Sequence, residues 1–127
     1  MRTKKRQILA VPENKNLPFS TVVGFGDLAF VSGMIGRDPA TGQIAADIFE
    51  QTRQTLANVE AQLAAAELSS ENVLKATVFI TDMGLVQEMN RAYRDFFKDD
   101  LPARSCVQVA ALPDSQALVE IEVIAHR

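Results

Sequence analysis

Two residues near the C-terminal end of the sequence have the types and settings needed to handle a small acid. Arg104 lies in Pro102-Ala103-Arg104-Ser105-Cys106, where proline fixes the approach of the chain and small neighbours leave room around the guanidinium. A planar guanidinium offers a fork of N–H donors that receives a carboxylate through two parallel hydrogen bonds. Glu120 lies in Val119-Glu120-Ile121-Glu122, a run whose alternation reads as a strand with one apolar and one ionic face. In the strand around Arg104, Val107 and Val109 are predicted to point one way and Arg104, Cys106 and Gln108 the other. A turn through Leu112-Pro113-Asp114-Ser115 makes the two strands antiparallel neighbours, with Cys106 close to Glu120 and an Arg meeting a Glu on the face that the helices leave uncovered. By parity alone that pair reads as a cross-strand ion pair worth less than about 1 kcal/mol. The Pro-bounded, small-residue setting of Arg104 favours a carboxylate-binding site instead.

Other chemistries have few residues to draw on. The 127-residue chain has one Cys and one His, which excludes an intrachain disulfide framework and a Cys/His zinc cluster within one chain and disfavours a His-based triad. Cys106 beside an Arg is a candidate nucleophile, but His126 near the far end of the chain is not placed to activate it. A pocket-lining or oxidation-sensitive thiol is expected. Thirteen Lys and Arg against sixteen Asp and Glu give a net charge of −3, which disfavours general attraction to nucleic acid or anionic lipid. The basic cluster Arg2, Lys4, Lys5, Arg6 reads as a solvated strand edge or terminus, and the apolar run Ile8 to Val11 is too short for a signal core or membrane span. A cytoplasmic protein without a membrane partner is expected.

Positioning such residues requires a sheet and its covering helices. One helix is predicted from Asp47 to about Leu68, with Ile48, Thr52, Leu56, Val59 and Leu63 at three- and four-residue steps. Asp47 followed by Glu50 resembles a capping box, and Ala61, Ala64, Ala65 and Ala66 suit close packing on a sheet. A second helix is predicted after Asp82 to Phe97, with Val86, Met89, Tyr93 and Phe96 in its apolar stripe. Strand signals fall at Val22-Val23, Leu28 to Ser32, Val73 to Ile80, Arg104 to Val109 and Leu118 to Ile124. The order implies an α+β class: one domain over residues 1–127, a mixed sheet with two helices on one face. A compact monomer of this size exposes roughly 6,700 Å². The high apolar content, 47%, hints that the uncovered face is buried by self-association.

At the level of motifs the chain resembles the RidA/YjgF family of small trimeric enamine/imine deaminases, also known by liver perchloric-acid-soluble and translation-inhibitor names. The resemblance runs through Phe30-Val31-Ser32-Gly33, Asp38-Pro39-Ala40-Thr41-Gly42, Glu50-Gln51-Thr52-Arg53-Gln54-Thr55-Leu56-Ala57-Asn58-Val59, Lys75-Ala76-Thr77-Val78-Phe79-Ile80-Thr81-Asp82, Asn90-Arg91-Ala92-Tyr93, Pro102-Ala103-Arg104-Ser105-Cys106-Val107 and Val119-Glu120-Ile121-Glu122-Val123, covering nearly the whole chain. It implies a chorismate-mutase-like fold whose three subunits join their sheets as a central barrel, with clefts at the interfaces. By the same resemblance Arg104 binds the substrate carboxylate, Glu120 positions water or moves protons, and Cys106, Asn90, Phe19, Gly33, Met34 and Ile35 line the site. The implied reaction is hydrolysis of 2-aminoacrylate, 2-iminobutyrate and similar compounds to 2-keto acids and ammonia, with no metal or organic cofactor. A non-catalytic carboxylate-binding module and an endoribonuclease are the alternatives the family names carry. The sequence departs from the family pattern at Phe19 (often Tyr), Met34 and Gly36 (often Gln and Pro) and Gln108 (often Glu).

Overall fold

The computed structural model describes residues 5–127, so Arg2 and Lys4 of the basic cluster lie outside the described residues. The chain forms β1 (Gln7–Ala10), β2 (Val22–Phe25), β3 (Leu28–Met34), α1 (Ile48–Ala65), β4 (Val73–Ile80), α2 (Val86–Phe97), β5 (Ala103–Gln108) and β6 (Val119–His126). One sheet of order β1-β2-β3-β6-β4-β5 results, with β4 and β5 parallel and the other neighbours antiparallel. This is the α+β arrangement expected, with one strand, β1, that the sequence reading did not assign. No described helix is long and apolar enough to cross a membrane.

The first helix forms where its periodicity puts it. Asp47 caps it by accepting the Glu50 backbone N–H at 2.8 Å, and the five predicted stripe residues are all buried, joined by Gln51 and Thr55. It ends at Ala65 rather than near Leu68. The Leu68 and Glu67 N–H groups turn back to Leu63 and Ala64 carbonyls, with Glu67 in the left-handed region at φ 62°. Of the alanines expected to pack closely, only Ala66 is buried; Ala61, Ala64 and Ala65 face outward. In α2, Met89 and Tyr93 are buried as predicted, but Phe97 rather than Phe96 completes the buried stripe. A 3₁₀ turn at Met83–Leu85 precedes the helix.

Gln51 ties α1 to the strand that carries Glu120. It is 1% exposed; its Nε2 donates to the Ala45 and Gln116 carbonyls at 2.7 and 3.0 Å, and its Oε1 accepts the Leu118 N–H at 2.8 Å. Gly36 makes this approach possible, since a Cβ there would lie 2.5 Å from the Gln51 carbonyl oxygen. Gln51→Leu would keep the volume and orphan three backbone groups. The expected loss is about 2–4 kcal/mol of stability, read as a lowered urea midpoint at fixed protein concentration.

The order of the last strands corrects the sequence expectation. β5 and β6 are not neighbours, because β6 pairs with β3 on one side and β4 on the other, so that β4 separates them. In the register, Arg104 stands beside Ala76 and Cys106 beside Val78, and across β4 these lie level with Val123 and Ile121. Residues paired in register share a face. Ala76, Val78, Ile121 and Val123 are buried under the helices, so Arg104 and Cys106 belong to the helix side. Val107, paired with Phe79, is 44% exposed on the open face. The sequence established which residues of β5 share a face; assigning that face to the open side was wrong. An edge strand buries neither side fully, so hydrophobicity does not mark its inner face.

Candidate functional site

Arg104 occupies a cleft between α2 and the start of β5, about 530 Å³ in volume. Its guanidinium carbon lies 4.8 Å from the centroid of the Tyr93 ring, a stacking that holds the planar head in place. Tyr93 is buried, which pushes its phenol pKa up to about 12 against a small opposing effect of Arg104. The phenol is therefore neutral, and among the described residues its hydroxyl and the Asn90 Oδ1 are buried without a hydrogen-bond partner. Both residues line this cleft. The cleft thus sets a guanidinium, whose fork of N–H donors suits a carboxylate, beside two residues with buried polar atoms that lack partners.

Glu120 stands in a second cavity, about 580 Å³, lined also by Leu17, Phe19, Ser32, Gly33 and Ile35. The Ser32 hydroxyl donates to the Ser20 carbonyl at 2.7 Å, fastening the segment that carries Phe19 to β3. At the rim Arg37 pairs with Asp114. Burial raises the Glu120 pKa above its usual value, and repulsion from Glu122 raises it further. A Cβ at Gly33 would fall 2.6 Å from Glu120 Oε2, so the missing side chain is what lets the carboxyl lie across β3.

These two centres are separate within one chain. Arg104 is level with Val123 on β6, three residues from Glu120 and two strands away. That places their backbones ~14 Å apart, and the side chains leave on opposite faces of the sheet. The expected meeting of Arg and Glu on the uncovered face, with Cys106 beside Glu120, does not occur in the chain. Of the other residues assigned to the site, Phe19, Gly33 and Ile35 gather around Glu120, and Asn90 joins Arg104. Met34 and Cys106 pack against the core. Gln108 instead accepts the Met83 N–H at 2.7 Å, tying the end of β5 to the turn before α2. Two arginines the sequence reading passed over, Arg91 and Arg94, also line the Arg104 cleft. With Gln87 and Asn90 they hold the i, i+3, i+4 and i+7 positions of α2, a signal present in the polar face of the helix.

Comparison with known proteins fits this geometry. Residues 12–127 match the family model described as Endoribonuclease L-PSP. A RutC family protein of Pyrococcus horikoshii is 42% identical over 111 residues, 87% of each chain. The chain belongs to the RidA/YjgF family. TdcF of Escherichia coli K12, which carries a provisional name as a reactive intermediate deaminase, is 45% identical over 113 residues, again 87% of each chain. Among solved structures, YyfA of Yersinia pestis, described as a protein of the conserved Rid family, superposes with a TM-score of 0.88 at 38% identity, covering 97% of this chain and 100% of that one. The structure of E. coli TdcF with bound serine matches with a TM-score of 0.85 at 41% identity, covering 98% and 99%. The RidA/YjgF fold is thus shared over the elements that carry both Arg104 and Glu120.

Proposed function

We propose that this RidA/YjgF family protein hydrolyses 2-imino acids and their enamine tautomers, such as 2-iminobutyrate and 2-aminoacrylate, to 2-keto acids and ammonia in clefts between copies of the chain. The observation that carries this reading is the pairing of two incomplete half-sites, a ligand-ready guanidinium on the helix side and a half-buried carboxyl of raised pKa on the open face. The sheet stands between them, so both act on one small molecule only when the β5 edge of one copy covers the open face of another. Phe30, Leu74 and Val107 are exposed apolar residues, and the accessible surface, 7887 Å², exceeds the roughly 6,700 Å² of a compact monomer. A homotrimer with three interfacial sites accounts for both. The serine bound in the TdcF structure supports a small carboxylate as ligand.

In this reading Arg104 holds the carboxylate and Glu120 of the neighbouring copy holds water. Glu120 takes a proton from the water as its oxygen adds to the carbon bearing nitrogen, the C=N π pair moves to nitrogen, and Glu120 returns that proton to nitrogen, giving the carbinolamine. The hydroxyl proton then passes through Glu120 to the amino nitrogen, the C–N bond breaks with its electron pair going to nitrogen, the C=O forms and ammonia leaves. Cys106, packed against the core, takes no covalent part.

Imines released in situ by an amino-acid oxidase, with 2-keto acid formation followed in time, test this directly. Acceleration by the purified protein is expected; a rate equal to the spontaneous one overturns the proposal. Solution mass is expected to be that of three chains. Gly33→Ala is expected to displace the Glu120 carboxyl and lower kcat about 100-fold. Its melting temperature should stay close to the parent's, because the clash is with a side chain that can swing away.

A further inference from the structure

The Arg104 cleft is more cationic than a small monocarboxylic imine requires. Gln87, Asn90, Arg91 and Arg94 line one wall along ~10 Å of α2, with Arg104 opposite. Three guanidinium groups and, among the described residues, no carboxylate border this cleft, on a chain of net charge −3. Arg91 is already engaged, bonding Glu88 at 2.9 Å and lying 4.1 Å from the centroid of the Phe49 ring. Arg94 has no side-chain ion pair among the described residues. Its place in the last turn of α2 suits the helix dipole, which explains a cation there but not one bordering the cleft.

A second observation points to a ligand. Tyr93, 4% exposed, lines the same cleft with its hydroxyl unpartnered among the described residues, as is Asn90 Oδ1. Buried polar atoms without partners are uncommon, and an acceptor such as Asn90 Oδ1 is satisfied by an N–H, not by a carboxylate.

We infer that Arg94 forms a second anion subsite in this cleft and that the protein prefers 2-imino diacids, the imines of acidic amino acids, over monocarboxylic ones. This rests on the reading above, in which Arg104 takes the carboxylate next to the imine. The distal carboxylate then extends along α2 to Arg94. The reaction is unchanged: water adds at the imine carbon and ammonia leaves, giving a 2-keto diacid.

The test compares imines generated in situ from glutamate and from 2-aminobutyrate by amino-acid oxidases, with kcat/KM measured for each. The parent protein is expected to favour the diacid. Arg94→Gln is expected to lower the diacid-to-monoacid ratio about tenfold or more, as loss of one charged hydrogen bond implies, and Arg94→Lys to restore part of it. A parent protein that favours the monoacid, or an Arg94→Gln variant that keeps the parent's ratio, overturns the inference while leaving the role of Arg104 intact. Arg104→Ala separates the two ideas: retention of both activities in that variant overturns the underlying reading itself.

Discussion

Alanine in place of Arg104 is expected to lower kcat/KM for 2-imino acids about 100- to 1,000-fold. Two charge-assisted hydrogen bonds to a carboxylate in a partly dry cleft are together worth about 3–4 kcal/mol, and each 1.36 kcal/mol is about tenfold in rate. Lysine restores a point charge but not the fork, so Arg104→Lys should recover only part of the loss. The fold should barely notice. Arg104 sits on an edge strand, and what it gives the chain is the stacking on Tyr93, worth about 0.5–1 kcal/mol. Steady-state rates together with thermal melts therefore distinguish a ligand-binding Arg from a structural one: activity collapses while the melting temperature moves little. Equal losses of both would assign Arg104 to stability.

For Glu120→Gln the expected fall in kcat is about 100- to 10,000-fold, the range carried by a positioned acid/base group. The pH profile of the parent follows from the raised pKa of Glu120, caused first by burial and then by Glu122. Holding and deprotonating water requires the carboxylate, so the rate should climb with pH through a value above the ordinary carboxylate range and then level. The glutamine variant should lose that limb. Stability runs the opposite way. A carboxyl whose folded pKa is raised contributes its stabilisation below the unfolded pKa, and that contribution is lost as pH rises through the folded pKa. Ionised Glu120 is thus a liability to the fold at neutral pH, and Glu120→Gln should melt at the same temperature or higher at about pH 7, with the advantage vanishing below about pH 4. A variant that is both inactive and less stable at neutral pH would assign Glu120 to the scaffold.

Much of the scaffold was legible from local pattern. The stripe of α1 is readable because a helix repeats its inner face every three to four residues, and Asp47 is readable as its cap because the side chain serves a backbone N–H only three residues on. Gln51 was not: a polar residue in an apolar stripe becomes intelligible only when Ala45, Gln116 and Leu118 arrive beside it. The motifs around Arg104 and Glu120 were likewise conspicuous, while Arg94 was hidden on a polar helix face that reads as solvated until β5 is laid against it.

The sequence by itself determined the helices, most of the strands, the alternation along β5 and β6, and the residue types available for chemistry, because each depends on neighbours a few positions apart. Tertiary structure alone decided that β4 stands between β5 and β6, and hence that Arg104 and Glu120 leave opposite faces of the sheet. Alternation is a local property of a strand, whereas the identity of its neighbour and the side on which the helices settle depend on pairings between distant segments that no local pattern encodes.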